Sequence, residues 1–556
     1  MTATQQHPQF RRELLNHIVD RLARDSPDKL YAESPISATT FEDDFRKIRY
    51  RELANAVNGV AALIEKSLGK GEASPTLVYY GPADVRYIIL VLGAVKAGYK
   101  MLLPSSRLSP IAAVELLEKS DAEAILLPTP RPAAADPVLE LYPMQEIAVP
   151  ELEELLKTKY APYSFEANFE DIKGEPLVVL HTSGTTGFPK PIVWTHEWAA
   201  SFGEELYLTP PSGYESLTNL MLGKRIFHFF PPFHAAYLAG VLVFPLLTGT
   251  VNICALPGAP PTAEQVAFVV EHAKVDILGM IPPIIAQLGS NPELLDRVAA
   301  RVEYIMYAGG DVPFSAGEAV SKKMKLFTQV ASTETGLIHT LRRTGEWKRE
   351  NWHHVMFHPS SGVKLIKRQG KSFEAIVHRS AGAFKQAPFV VFPDIDEFAT
   401  GDLFKQHEED PELWEYHGRM DDMQVLLSTE KFYPVDMEQF LCLHKDIKEA
   451  MFIGNGRTQP ALLLELENIK EDGQGIPEHI WEQIEDANEI SPEFAIIARE
   501  NVLLLDPERP WFRTPKGTVQ REATRKLYLV DLERLDAVAE KHHASELTRS
   551  VELIDV

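Results

Sequence analysis

Cysteine is almost missing from this chain of 556 residues. There are two, Cys254 and Cys442, each in apolar surroundings and neither with a CxxC neighbour. That excludes a disulfide framework and a thiolate zinc site. No apolar run approaches the roughly 20 residues needed to cross a bilayer, so no membrane partner is expected. Residues 1–29 mix arginines with acids and lack the apolar centre of a signal peptide. Basic residues are in deficit, 56 against 79 acidic, for a net charge of -23. Such a chain repels polyphosphate backbones, so no nucleic-acid partner is expected. A small anionic ligand needs only a local site and is untouched by that argument. Internal repeats and low-complexity tracts are also lacking. These absences describe a cytoplasmic protein, and its length calls for two or more domains.

What is present is a β-α alternation. Phe10, Leu14, Ile18 and Leu22 recur at helical spacing, and 51–66 reads as a helix. Residues 76–80, 124–127 and 176–180 read as short buried strands, and 84–97 as an apolar helix ending at Gly98. This predicts an α/β fold with parallel or mixed sheets and flanking helices. The proline-bearing stretch 128–172 reads as a long connection. Two strand-like runs near 362–378 lack an intervening helix, which adds an antiparallel portion. From Tyr416 the pattern restarts as a small α+β unit, and 530–556 reads as a charged helical tail.

The most informative stretch is His181-Thr182-Ser183-Gly184-Thr185-Thr186-Gly187-Phe188-Pro189-Lys190, directly after a buried strand. Glycines admit close backbone approach to an anion. Successive N–H groups and hydroxyls can wrap phosphate oxygens, with Lys190 adding charge. It is not a Walker A loop. Ser/Thr/Gly-rich surface loops without a ligand are also common.

This loop resembles the phosphate-binding loop of the adenylate-forming superfamily, which includes acyl-CoA synthetases, luciferases and peptide-synthetase adenylation domains. Further motifs follow in the family's order: Val91–Gly98, Phe230-Pro231-Pro232-Phe233-His234, Ala308-Gly309-Gly310-Asp311, Ser332-Thr333-Glu334-Thr335, Thr400-Gly401-Asp402-Leu403 and Gly418-Arg419-Met420-Asp421-Asp422. The resemblance implies attack of a carboxylate on the α-phosphorus of ATP with release of pyrophosphate, a reaction served by positioning and charge neutralisation. It implies ATP/AMP binding by Thr182, Ser183, Gly184, Thr185, Thr186, Gly187, Lys190, Gly309, Gly310, Asp311, Ser332, Thr333, Asp402 and Arg419. Thr333 would contact the α-phosphate, and Glu334 would hold Mg²⁺. Asp402 would take the ribose hydroxyls. His234 would stand near the substrate carboxylate, and Asp421 would be the hinge of a mobile C-terminal part. Three plainer readings compete. Glu334 could be a charge at a helix start behind a Ser/Thr cap. Thr400-Gly401-Asp402 could be a bare turn. His234 could be a core histidine bonded to a carbonyl.

The family's late lysine follows a glycine, whereas here Thr518 follows Gly517 and Lys516 precedes it. Lys516 is the expected catalytic cation, with Arg513 or Arg521 as substitutes. The run Trp352–His358 carries histidines at spacings that suit a loop or edge strand better than a metal site. Peptide-synthetase domains resemble one another in placing an aspartate after the Phe of the aromatic–His segment; here His234-Ala235-Ala236 follow Phe233. A buried ammonium would go unpaired, so a non-amino acid is expected. Its pocket would draw on His234, Ala235, Met306, Ala308, Gly309 and Ala331, where the small Ala235, Ala236, Ala308, Gly309 and Ala331 leave room for an aryl ring.

The ending Pro515–Arg521 and the Phe230–His234 segment look most like fungal peptide-synthetase-like carboxylic acid reductases. There an acyl adenylate passes to a phosphopantetheine thiol on a carrier domain and NADPH reduces the thioester. No GxGxxG follows a strand, and no carrier serine motif is found, so the carrier and the NADPH-binding reductase would lie outside this chain. The expected organisation is an adenylation core over 1–418, a mobile part over 419–530 and a linker over 531–556. The alternatives are a free-standing acid–CoA ligase, an adenylation domain feeding a thioesterase, and a non-catalytic adenylate binder.

Overall fold

The computed structural model describes residues 11–183, 189–257, 262–345, 348–368, 370–380, 385–428, 430–467, 476–513 and 519–535. The chain divides into two compact units. The first holds residues 1–309, 319–364 and 376–399, and the second holds 310–318, 365–375 and 400–556.

The first unit contains a six-stranded sheet and a seven-stranded sheet. One runs in the order 145–148, 122–127, 76–79, 100–102, 176–183, 189–195. Its first five strands are parallel and the last returns antiparallel. The other runs 325–328, 304–307, 277–280, 225–228, 251–253, 30–35, 45–49, parallel except at its last pair. Short apolar strands such as Thr76–Tyr79 are buried along their whole length, as strands covered on both faces by helices must be. The helix Arg86–Ala97 is buried at every residue and stops at Gly98, whose φ of 88° is left-handed and cheap only for glycine. Its Gly93 lies against the helix Tyr50–Leu68: a Cβ there would stand 2.5 Å from Val60 Cγ1. In both sheets the parallel strands' carboxyl ends are where ligands bind in open α/β architectures. The candidate residues Thr182, Met306 and Ala308 fall at those ends.

Residues 128–172 are more than the connection the prolines suggest. The strand Gln145–Ala148 pairs parallel with Ala122–Leu127 and widens the first sheet. A four-residue strand of sequence Gln-Glu-Ile-Ala has only Ile147 buried, too little apolar pattern to be read in advance. The histidine-bearing run forms the strand His354–Phe357, paired antiparallel with Thr340–Arg343.

In the second unit, Ile447–Ile453, Ala461–Leu466 and Val502–Leu504 form a three-stranded sheet. The helices Val435–Leu441 and Glu478–Glu489 pack on it through Met437, Leu441, Ile480 and Ile484. This is the small α+β unit expected after Tyr416. Residues 536–556, most of the expected linker, lie outside the described residues. Both cysteines are free. Among the described residues no helix is long and apolar enough to cross a membrane.

Candidate active site

The buried strand Pro176–Ser183 and the return strand Pro189–Thr195 form a hairpin in which Thr182 pairs with Lys190 and Ser183 with Pro189. Gly184, Thr185, Thr186 and Gly187, which come between the two strands in sequence, lie outside the described residues. Thr182 is half-buried and Lys190 exposed. His181 accepts a hydrogen bond at Nε2 from the Ser105 N–H, 3.0 Å away. Burial pushes its pKa down to about 4, so the ring is neutral at pH 7 and serves as an acceptor.

Thr333 and Glu334 do not open a helix. Ala331–Ser332 and Gly336–Leu337 pair as a tight hairpin, Ser332 opposite Gly336, with residues 333–335 at the tip. The hydroxyls of Ser332 and Thr335 lie 3.0 Å apart, and each accepts the other residue's N–H at 3.1 Å. Gly336 has a φ of 64° and a Cβ there would stand 2.9 Å from Phe202, so both conformation and space require glycine. The hairpin is tied to the phosphate-loop hairpin by one bond: buried Trp194 donates from Nε1 to the Thr333 carbonyl at 2.8 Å. Trp194 stacks on Trp198 at 3.7 Å, and Trp198 on Phe202 at 5.3 Å. Glu334 is half-buried, and its carboxylate makes no hydrogen bond or ion pair among the described residues. A single uncommitted carboxylate fits Mg²⁺, which takes one or two carboxylates and completes its shell with water and substrate phosphate.

His234 is half-buried and is the N-cap of the short helix Ala235–Leu238. Its Nδ1 accepts the Ala236 N–H at 3.1 Å. A neutral imidazole accepting at Nδ1 carries its proton on Nε2, which makes Nε2 the donor. Ala235 is buried, as is Met306 in the strand Tyr304–Tyr307, while Ala331 is exposed. The Ala308 N–H reaches the Met280 carbonyl at 3.4 Å, and Gly309 follows with a φ of 99°.

The second unit carries Asp311, Asp402, Arg419 and Asp421. Thr400-Gly401-Asp402 is no bare turn; it lies within the strand Glu397–Gln406, at a register irregularity opposite Trp414–Arg419. Arg419 Nη1 donates to Asp402 Oδ1 at 2.8 Å and its Nη2 lies 3.6 Å from Asp421. A Cβ on Gly401 would stand 2.9 Å from the same guanidinium, so glycine is what admits the pair. The carboxylate neighbours hold the Arg419 pKa above its ordinary value despite opposing desolvation. Asp421 sits in the 3-10 turn Met420–Asp422. Burial raises the Asp311 carboxyl to about 7, while it accepts from the Val312 N–H at 2.9 Å and from Gln439.

Lys516 and Thr518 lie outside the described residues. The two substitutes for the cation are both engaged. Arg513 pairs with Glu449 at 2.5 Å. Arg521 pairs with Glu438, at 2.7 Å through Nη1, and with Asp422 at 3.2 Å. Trp194 and His228 escaped the sequence reading, and His181 was noted only as the first residue of the loop, without a role. A tryptophan in a return strand looks like core, and only the bond to Thr333 reveals its second task.

Residues 21–374 match the family described as AMP-binding enzyme, and 421–538 match the AMP-binding enzyme C-terminal domain. The chain belongs to the AMP-binding enzyme family, and it is an ATP-dependent adenylate-forming enzyme. It is 30% identical over 538 residues to the isocyanide synthase–NRPS hybrid crmA of Aspergillus fumigatus, covering 94% of this chain and 33% of that protein. It is 29% identical over 563 residues to a carboxylic acid reductase of Neurospora crassa, covering 99% of this chain and 53% of that one. The chain thus spans a third to about half the length of these curated relatives. Among solved structures, the anthranilate CoA ligase AuaEII in complex with anthranoyl-AMP aligns with a TM-score of 0.69 at 17% identity, covering 95% of this chain and 98% of that one. A benzoate CoA ligase from Burkholderia xenovorans aligns at 0.70 and 19%, covering 92% and 99%. These likenesses establish the fold.

Proposed function

We propose that this chain activates a non-amino, aryl-type carboxylic acid as its acyl adenylate and passes the acyl group to a phosphopantetheine thiol on a carrier domain, as the first module of a carboxylic acid reductase. The observation that carries the reading is the bond from Trp194 to Thr333. It joins the strand leaving the phosphate loop to the hairpin that offers Thr333 and Glu334, so the groups assigned to the two ends of the triphosphate are held on one scaffold.

In this reading Ser183, Thr185, Thr186 and Lys190 hold the β- and γ-phosphates, with Thr182, Gly184 and Gly187 shaping the loop. Thr333 meets the α-phosphate and Ser332 fixes its turn. Glu334 holds Mg²⁺, which would neutralise phosphate charge. Asp402 takes the ribose hydroxyls, oriented by Arg419, and Gly309, Gly310 and Asp311 flank the nucleotide base. His234 stands near the carboxylate of the acid. Lys516 supplies the cation of the closed state, a role for which the engagement of Arg521 by Glu438 and Asp422 leaves less competition. Residues 1–418 act as the core, 419–530 as the part that turns about Asp421, and 531–556 as the linker toward the carrier. The absence of an acid after Phe233 supports a substrate without an ammonium group. NADPH would act only in a reductase domain of the full-length protein.

The test is Mg²⁺-dependent ATP–pyrophosphate exchange with a panel of acids, followed by acyl transfer to an isolated carrier domain or to free CoA. Loading of the carrier supports this reading. Product formed with CoA alone replaces it with an acid–CoA ligase.

A further inference from the structure

His228 ends the parallel strand Arg225–His228. Its register neighbours are Gly279 on the next strand and then Met306 on the one after. Register neighbours in a parallel sheet point to the same face. His228 and Met306 therefore stand in one row at the carboxyl end of the sheet, with Gly279 between them contributing no side chain. On its other flank is Gly240, in the π-helical turn Ala239–Val243 that follows the helix capped by His234. Helical turns of this wide type are frequent at functional sites.

The imidazole lies in a cradle that two glycines make. A Cβ at Gly279 would stand 2.7 Å from His228 Nδ1, and one at Gly240 would stand 2.8 Å from Cε1 and 3.0 Å from Nε2. Both ring nitrogens are closed to solvent, and neither has a hydrogen-bond partner among the described residues. A neutral imidazole has one donor and one acceptor nitrogen. Leaving both unmet in a buried place is costly, so the arrangement calls for a partner that the described residues do not supply. Because Gly240 and Gly279 lack side chains, a rotation that carries the ring toward a bound acid meets no Cβ at either flank.

We propose that His228 is a specificity-determining residue of the acid pocket, which selects a carboxylic acid bearing a hydroxyl group on its body, away from the reacting carboxylate. A hydroxyl both donates and accepts, so it matches either nitrogen. Burial holds the ring's pKa down at about 4, which keeps it neutral and argues against a second carboxylate as the group it reads. The inference rests on the proposed adenylation of a non-amino acid and names the substrate class of that site.

The test uses ATP–pyrophosphate exchange by the full chain with matched acids, such as benzoate against its 3- and 4-hydroxy forms and a linear acid against its hydroxylated form. Sites built to hydrogen-bond a substrate group reject the analogue lacking it by large factors, so at least about 100-fold in kcat/KM is expected for one pair. His228→Phe should bring that ratio to within a few-fold while exchange with the unsubstituted acid persists, and His228→Asn should restore part of it. The wild-type ratio is informative even if a variant folds poorly, which a thermal melt reports. No preference for any hydroxylated acid overturns the proposal and leaves adenylation standing; the orphaned nitrogens then merely hold water. A preference unchanged in His228→Phe also overturns it. Absence of exchange with every acid removes the adenylation reading, and this inference with it.

Discussion

Replacing Trp194 by phenylalanine separates what the aromatic stack does for stability from what it does for the site. The indole Nε1 is the group that meets the Thr333 carbonyl, at 2.8 Å. Phenylalanine keeps a ring but no donor, so a buried carbonyl loses its partner, a penalty of about 1–3 kcal/mol. The missing part of the indole leaves a void of roughly 40 Å³, which at ~24 cal/mol per Å³ adds about 1 kcal/mol. The expected loss is therefore about 2–4 kcal/mol for the first unit, read as a fall of several degrees in Tm. The functional effect should be larger than stability alone gives. In its proposed role Thr333, freed by even an ångström, would lose alignment with the α-phosphate, and such displacements cost up to about 100-fold in rate. Exchange should drop 10- to 100-fold, mostly in kcat. Trp198→Phe is the control. Trp198 is equally buried and stacks on Trp194, but its own Nε1 has no partner among the described residues. That change should cost packing while leaving exchange within a few-fold of wild type. Equal losses of exchange in both variants, or normal exchange in Trp194→Phe, would refute the reasoning.

Glu334→Gln should lower exchange at least 100-fold with little change in Tm, because the proposed metal ligand would lose its charge while no hydrogen bond among the described residues is broken; near-normal exchange removes Glu334 from the proposed metal site. Lys516→Ala should reduce adenylation by orders of magnitude yet spare thioester formation from a supplied acyl adenylate, since a cation aimed at developing charge acts only in the first step; equal loss in both steps rejects the assignment. Glu205 is buried and accepts from the Ala387 N–H at 3.4 Å, and desolvation raises its pKa to about 8. Between its ordinary value and about 8 the folded state holds a proton that the unfolded state has released, so stability falls as pH rises, by up to ~1.4 kcal/mol per pH unit. Glu205→Gln should flatten that slope, and melts from pH 5 to pH 8 that stay parallel to wild type would contradict it.

The parts of this molecule legible in its sequence are those with strong local chemistry. The strand Pro176–Ser183 opens on the apolar run Pro176–Leu180, and the helix Arg86–Ala97 is apolar from Tyr87 to Val95 and stops at Gly98, so pattern alone sets them. The three-stranded sheet and two helices of residues 435–504 were legible in kind, as a small α+β pattern after Tyr416, whereas the second unit also takes in residues 310–318, 365–375 and 400–415. The strand Gln145–Ala148 was not, because its pairing with Ala122–Leu127 comes from the sheet and not from its own residues. The hairpin holding Glu334 was misread in one alternative as a helix start, since Ser-Thr-Glu suits both; the crowding of Gly336 against Phe202 decides it. His234 was legible as a site candidate, but its capping of the Ala235–Leu238 helix was not. His228 left almost no trace. A histidine inside an apolar strand reads as core, and its orphaned nitrogens depend on Gly240 and Gly279, 12 and 51 residues further along the chain.

The central claim is that this chain makes an acyl adenylate from a non-amino acid, and detection of that adenylate is its most direct test. Purified chain, ATP and Mg²⁺ would be incubated with carboxylic acids and their α-amino counterparts, and acyl-AMP measured by mass spectrometry alongside pyrophosphate release. The account predicts acyl-AMP with at least one non-amino acid and none with its α-amino partner, the signal being lost in Glu334→Gln. Acyl-AMP formed preferentially from α-amino acids, or none from any acid, would contradict it.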